Sequence, residues 1–154
     1  MKKGSLLKHA FNSELMNVIV KYGDETISFN LFAETIIDEN IINREIHEQP
    51  SVYGFLGMLH KKLIRVELDL KRQMEKIYAS MYIRNKELID ENTNRPTADQ
   101  LAKEKATVSA KYQNAIKRYH NAKHESEIIE VCVRTFEQRQ ALIQTLSANI
   151  RKTS

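Results

Sequence analysis

The chain has 154 residues, a formal net charge of +4, and only 4 Gly, 2 Pro and 1 Cys, whereas average usage would place roughly 11 glycines and 8 prolines in this length. One cysteine excludes a disulfide framework and a cysteine-rich zinc module, and no apolar stretch approaches the roughly 18 residues of a membrane span. We expect a soluble, intracellular (cytoplasmic), mostly helical protein that does not contact membranes. The small net charge by itself indicates no partner.

The first part of the chain, residues 1–50, is predicted to be an N-terminal segment with short helices. Lys21–Glu25, which contains Gly23, is typical of a turn. A short helix is predicted before it over residues 13–20, and residues 27–31 after it fit either a strand or the entry to a helix. Apolar residues at helical spacing then predict an acidic helix that Pro50 ends.

A second helix is predicted over residues 52–90. Residues 53–86 carry eight basic and three acidic groups, a net charge of +5. A polar loop over residues 91–96 follows, and Thr97 with Gln100 predicts a capping box for the next helix. The apolar residues of the second helix recur every three, four or seven positions, as in a coiled coil or bundle: Leu56, Leu59, Leu63, Val66, Leu70, Met74, Ile77, Met81 and Leu88.

The third helix has the longest pattern, because residues 97–154 contain neither Gly nor Pro. One apolar series in it repeats every seven residues, which implies a left-handed supercoil with partner helices: Leu101, Val108, Ala115, Ala122, Ile129, Phe136, Ile143 and Ile150. Unbroken, this helix would be roughly 80 Å long, too long for one compact domain.

The pattern therefore predicts an all-α fold. Residues 51–154 would form one long, coiled-coil-like helical hairpin, in one domain with the N-terminal segment, and the chain would assemble into a homo-oligomer. The alternative is a monomeric bundle in which the third helix breaks near residues 121–126. The residues predicted to mediate oligomerisation are Ile129, Phe136, Ile143, Leu146 and Ile150.

Signals of catalysis are weak. The sequence has no Gly-rich phosphate loop, no Gly-x-Ser-x-Gly elbow and no His-Glu-x-x-His motif. His120 and His124 share a helix face but lack an evident third metal ligand, so a surface pair is the simpler interpretation. Cys132 lies in the apolar series, which predicts a buried, unreactive thiol. We expect no enzyme activity, no catalytic residues, no metal and no cofactor.

The second helix also carries a basic face. At roughly 100° per residue, five cations fall within about 80° of one another, opposite the apolar stripe: Lys61, Arg65, Arg72, Lys76 and Lys86. Like charges on one face repel one another unless a polyanion relieves the repulsion, so this face predicts contact with a nucleic-acid backbone. An ordinary solvated face is the alternative. Lys62, Lys71 and Arg84 lie off the face and would extend the patch.

Tyrosines lie on one flank of the same helix, near Lys71. They are Tyr53, Tyr78 and Tyr82. Tyrosines beside cations suit single-stranded nucleic acid, because every base can stack on an aromatic ring. Tyrosines that pack between helices would have the same pattern, so both interpretations remain open.

This order of features resembles the phage UvsY-type recombination mediators. The resemblance spans roughly residues 28–150 and is carried by Lys71–Tyr82 and Val133–Ile143. In the first segment Lys76 matches the lysine of the family's Lys-x-Arg element and Tyr82 matches an aromatic residue, whereas Tyr78 stands where the family has arginine.

What the resemblance implies is a ring-like homo-oligomer, a hexamer or heptamer, that binds single-stranded DNA in a phage-infected bacterial cell. Such a protein helps to load a RecA-like recombinase onto DNA that is covered by a single-strand DNA-binding protein. Two other functions fit the same pattern: a structural coiled-coil protein of phage assembly or scaffolding, and a helical adaptor that binds an acidic protein partner.

Overall fold

The computed structural model describes residues 14–90 and 95–153, which are mostly helical. Two 3-10 turns, Glu14–Met16 and Glu39–Ile41, and two two-residue strands, Ile89–Asp90 and Arg95–Pro96, accompany the main elements. In chain order the main elements are β1 (Asn17–Tyr22), β2 (Glu25–Asn30), α1 (Leu31–Thr35), α2 (Ile42–Glu87), α3 (Asp99–Val108) and α4 (Ala110–Thr153).

The chain divides into two compact units. Unit 1 comprises residues 1–61 and 127–154, and unit 2 comprises residues 62–126. Unit 2 contains 14 basic and 9 acidic residues, a net charge of +5, whereas unit 1 contains 10 basic and 11 acidic residues, a net charge of −1. The excess positive charge of the chain therefore lies entirely in unit 2.

Unit 1 begins with an antiparallel hairpin of β1 and β2. Val18 and Val20 are buried while their neighbours on β1 are exposed, the period of two that defines a half-buried strand. The strands turn at Gly23, whose φ of 62° suits a residue without a side chain. The predicted turn is confirmed, and the strand alternative for residues 27–31 holds for residues 27–30, while Leu31 begins α1. The helix predicted over residues 13–20 is wrong, because β-branched residues with period two favour a strand; Ser13 lies outside the described residues.

The predicted helix end at Pro50 is also wrong. Helix α2 begins at Ile42 and passes through Pro50, which is exposed. A proline inside a helix costs about 3 kcal/mol or more, but Ile42, Gln49 and Leu56 are buried on either side of it. Packing of these turns offsets the cost of the proline. The boundary predicted at residue 50, and the helix start predicted at residue 52, therefore fall inside α2.

The core of unit 1 lies between the hairpin, the first turns of α2 and the last part of α4. Its polar centre is Arg139, which is discussed below. The buried apolar residues of this unit are Val18, Val20, Leu31, Ile42, Leu56, Leu59, Ile129, Cys132, Phe136 and Ile143.

In unit 2, α2 runs antiparallel to α3 and α4. Along α2 the partners change from α4 to α3, as antiparallel packing requires: Glu67 contacts Ser126, Tyr78 contacts Tyr112, Tyr82 contacts Asp99, and Asn85 contacts Ala102. The facing side is lined by small buried residues, Ala102, Ala106, Ala115 and Ala122. Within this unit the predicted helical hairpin is confirmed.

The third predicted helix is in fact two helices that meet at Ser109. Its backbone is extended there, with ψ at 133°. The Ser109 hydroxyl donates to the Ala106 carbonyl (2.8 Å) and accepts from the Tyr112 N–H (3.3 Å), so one side chain satisfies the end of α3 and the start of α4. Helix α4 then continues through residues 121–126 without the break that the alternative placed there.

The capping box predicted for Thr97 and Gln100 does not form. Ala98 is the N-cap residue of α3 and supplies no side-chain hydrogen bond. The Thr97 hydroxyl instead donates to the Leu88 carbonyl (2.7 Å) across the connection between the helices, and the Gln100 amide donates to Glu104 (2.9 Å). Of the loop predicted over residues 91–96, residues 91–94 lie outside the described part of the chain.

Among the helices of the described ranges, none is both long enough and apolar enough to cross a membrane.

Candidate nucleic-acid interface

The basic face of unit 2 lies on α2 and comprises Arg65, Arg72, Lys76 and Lys86. All four side chains are exposed, and one continuous helix holds them within about 80° of one another at roughly 100° per residue. The other predicted contact residues of this unit that extend the patch, Lys62, Lys71 and Arg84, are exposed as well. The fifth cation of the predicted face, Lys61, is exposed and is the last residue of the first part of unit 1.

Packing on the other side of α2 keeps this face open to solvent. Leu63 is buried and the apolar residues of the same stripe from Leu70 to Met81 are half-buried, whereas Val66 is 41% exposed. Because the partner helices lie on the apolar side, the cations opposite it remain accessible.

The cations of the basic face differ in how far their charge is already compensated. Arg65 and Lys76 form no ion pair with any described residue. Arg72 lies 3.5 Å from Asp69, with 73% and 55% of the two side chains exposed, a geometry that contributes little in water. Arg72 therefore has an acidic side chain beside it, because Asp69 lies one helical turn earlier.

Lys86 has a different role, because it belongs to a cluster that ties α2 to α3. Its ammonium lies 3.3 Å from both Asp99 and the Tyr82 hydroxyl. The Tyr82 hydroxyl donates to Asp99, and Lys103 lies 2.8 Å from the other Asp99 oxygen. The hydrogen bond from Lys103, then that from Tyr82, holds the pKa of Asp99 well below its usual range. The hydrogen bonds with Tyr82 and then Asp99 raise the pKa of Lys86.

The tyrosines predicted to stack on bases instead join the helices of unit 2. The ring of Tyr78 packs at a tilt against Tyr112, with centroids 5.2 Å apart, and Tyr82 is held by Asp99. Both are half-buried, as is Tyr53 in unit 1. The contacts of Tyr78 and Tyr82 are those of the helix-packing interpretation.

The residues predicted to mediate oligomerisation lie mostly inside unit 1. Ile129, Phe136 and Ile143 are buried within the chain, and Leu146 is half-buried. Only Ile150 is exposed, at 41%. Heptad spacing predicted that this series is covered, but the covering residues belong to the same chain, so little of it is left for a second subunit.

A second heptad series on α4, here called the outer seam, was missed. It lies one residue before the buried series and is spaced by three and four: Ile128, Val131, Thr135, Gln138, Leu142, Thr145 and Asn149. None of these residues is charged, and Val131 and Leu142 are each 58% exposed. The signal was present in the sequence as a second run at coiled-coil spacing.

Arg139 is the other important residue that the sequence analysis missed. It is buried, pairs with Glu45, and donates to Gln49 and to the carbonyls of Thr35 (3.3 Å) and Ile36 (3.0 Å). The carbonyls belong to the end of α1, so one guanidinium joins α1, α2 and α4. The signal available in the sequence was a charged residue on the buried side of the helix, seven positions after Cys132.

Two predicted features lie apart from the basic face. Cys132 is buried as predicted, and its burial raises the pKa of the thiol. The His120 ring packs edge-on against Tyr119, 5.4 Å between centroids, and no group of three metal-ligating side chains occurs among the described residues.

No protein-family model, curated protein or solved structure matches the chain. Its function is therefore argued from the geometry and charge of its own residues.

Proposed function

We propose that this protein is a single-stranded DNA-binding recombination mediator, which helps to load a RecA-like recombinase onto DNA covered by a single-strand DNA-binding protein. The observation that carries the proposal is the basic face on α2 in a unit whose net charge is +5. Two cations of this face, Arg65 and Lys76, have no ion-pair partner among the described residues. The resemblance to UvsY-type mediators, carried by Lys71–Tyr82 and Val133–Ile143, gives this polyanion-binding face its specific role.

The proposed mechanism needs no covalent chemistry. Cations along α2 would follow the phosphates of a single strand, releasing counterions as they bind. Several copies acting on one strand raise the overall affinity far above that of one copy. A strand held in this way would be drawn from the competing single-strand-binding protein and presented to the recombinase.

Assembly of several copies is part of the proposal, and we assign it to the outer seam. An uncharged stripe over six turns of helix fits a like stripe on another copy, because neither brings a charge that would have to be desolvated. If two copies pack seam against seam, substitution of both Val131 and Leu142 by Glu would place four carboxylates between them, two from each copy. The expected result in light scattering is a lower mass with unchanged helicity, whereas Gln144→Glu, on another exposed part of α4, leaves the mass unchanged.

DNA binding is tested by titrating a labelled single-stranded oligonucleotide with the full chain at about 50 and 200 mM salt. The double substitution Arg72→Glu with Lys76→Glu is expected to weaken binding at least tenfold and to leave the mass unchanged. Lys21→Glu with Arg151→Glu changes the net charge equally, on unit 1, and serves as the control. Undetectable binding of the unsubstituted chain at the lower salt concentration would overturn the proposal.

A structural coiled-coil protein of phage assembly is the second candidate. The outer seam favours it, because a long uncharged heptad series serves a scaffold as well as it serves a mediator. The DNA titration separates the two: a scaffold keeps its assembled mass, shows no salt-dependent affinity for the oligonucleotide, and is indifferent to charge reversal at Arg72 and Lys76.

A further inference from the structure

A long stretch of unit 2 contains no acidic residue. Between Glu104 and Glu125 the chain has twenty residues without Asp or Glu, although acidic residues make up 20 of its 154 positions. The same stretch contains five cations, Lys105, Lys111, Lys117, Arg118 and Lys123. Most of it forms the first four turns of α4, on a different helix from the basic face.

One exposed flank of these turns, here called the amide ladder, alternates cations with carboxamides at spacings of three and four: Lys111, Asn114, Arg118 and Asn121. All four side chains are exposed, and they lie within about 80° on the helix. None forms a hydrogen bond or ion pair with another described residue through its side chain. Ala115 and Ala122, each four residues after a cation of the ladder, lie on the adjoining side of the same turns and are buried in unit 2.

The two asparagines of the ladder are not explained by the fold. Asparagine is a poor helix former, because its amide competes for backbone groups in other conformations. Asn114 and Asn121 stand in the interior of α4, away from either cap, and bury nothing. Among the described residues, no contact of these two asparagines therefore offsets their cost to helix stability.

We propose that the amide ladder is a second contact surface for single-stranded DNA, one that reaches the bases as well as the backbone. This inference rests on the proposed function. Lys111 and Arg118 would hold phosphates, while a carboxamide both donates and accepts and so matches the hydrogen-bonding edge of an unpaired base. On the basic face of α2, by contrast, the positions between the cations are Leu68, Ala79 and Ile83, whose side chains form no hydrogen bonds.

The cations are tested with Lys111→Gln and Arg118→Gln in one full-length chain, since glutamine keeps the helix propensity of the residues that it replaces. If both contact phosphates, the slope of log affinity against log salt becomes shallower by about 1.4. The control pair Lys21→Gln and Arg151→Gln, on unit 1, removes the same charge and should leave the slope unchanged. An equal slope for the ladder variant and the control would overturn the inference.

The asparagines are tested with Asn114→Ala and Asn121→Ala, which strengthen the helix, so that lost binding does not reflect unfolding. We expect several-fold weaker binding of a 20-nucleotide oligo-dA, an unchanged salt slope, and unchanged binding of an abasic strand of equal length. Equal effects on the two strands, or no effect on either, would overturn the inference. Failure of the unsubstituted chain to bind any single strand would instead overturn the proposed function.

Discussion

Replacing Arg139 by Ala is expected to be the most damaging single substitution on α4 of unit 1. The guanidinium has 8% of its side-chain surface exposed and pairs with Glu45, whose side chain is 14% exposed. It also satisfies Gln49 and the carbonyls of Thr35 and Ile36. Alanine would leave a nearly buried carboxylate without its partner and two carbonyls at the end of α1 without a donor.

The magnitude follows from what is left unpaired. Removing one member of a buried ion pair costs about 3–5 kcal/mol, because the remaining charge stays desolvated. The matched control is Arg134→Ala, one turn and a half earlier on the same helix, where Arg134 and Glu130 have 71% and 42% of their side chains exposed. An exposed pair of this kind contributes about 0–1 kcal/mol.

The assay is urea unfolding followed by far-UV circular dichroism, with all variants at one pH and one protein concentration. A third variant, Arg139→Met with Glu45→Leu, replaces the pair by apolar side chains of similar length and is expected to recover much of the lost stability. A cost for Arg139→Ala no greater than that for Arg134→Ala would refute the reasoning, because it would mean that the buried cluster contributes no more than a solvated pair.

Three further predictions concern Gly23, Cys132 and Asp99. Gly23→Ala is expected to lower the free energy of unfolding by about 1–2 kcal/mol, because φ is positive there; an unchanged urea midpoint would contradict this. Cys132 should react with a disulfide reagent at pH 8 only when urea unfolds the chain, since burial raises its pKa; rapid reaction of the folded chain would contradict burial. A carboxyl with a lowered pKa stabilises the fold above its unfolded pKa, about 3.9, and loses that contribution as the pH falls toward its folded pKa. Asp99→Asn should therefore lower the urea midpoint at pH 7 and have a progressively smaller effect below pH 4; an effect independent of pH would be contrary to this.

Much of the fold was predictable because its signals are local. The seven-residue series correctly indicated that Ile129, Phe136 and Ile143 are covered, and Gly23 correctly indicated a turn. The exposure of Arg72 and Lys76 followed from their position opposite the apolar stripe of α2. Each of these inferences needs only the period of a helix or the backbone freedom of one residue.

The predictions that failed involve a choice between local and tertiary effects. Pro50 has a strong local signal for a helix end, but buried contacts before and after it outweigh that signal. Ser109 has a weak local signal, yet its hydroxyl satisfies both neighbouring helix ends and divides the helix. Tyr78 fits a base-stacking site and a helix contact equally well in sequence, and only the tertiary structure shows the helix contact that it makes with Tyr112.

The sequence by itself therefore determined which faces of the helices are apolar and which are charged, since helical periodicity depends only on residue order. It also determined that residues 53–86, within α2, carry a net charge of +5. Only the tertiary structure decided which of two neighbouring heptad series on α4 the chain covers itself, leaving most residues of the outer seam exposed. The physical reason is that a heptad series specifies that a helix face must be buried, while the identity of the partner depends on what the rest of the chain places against it.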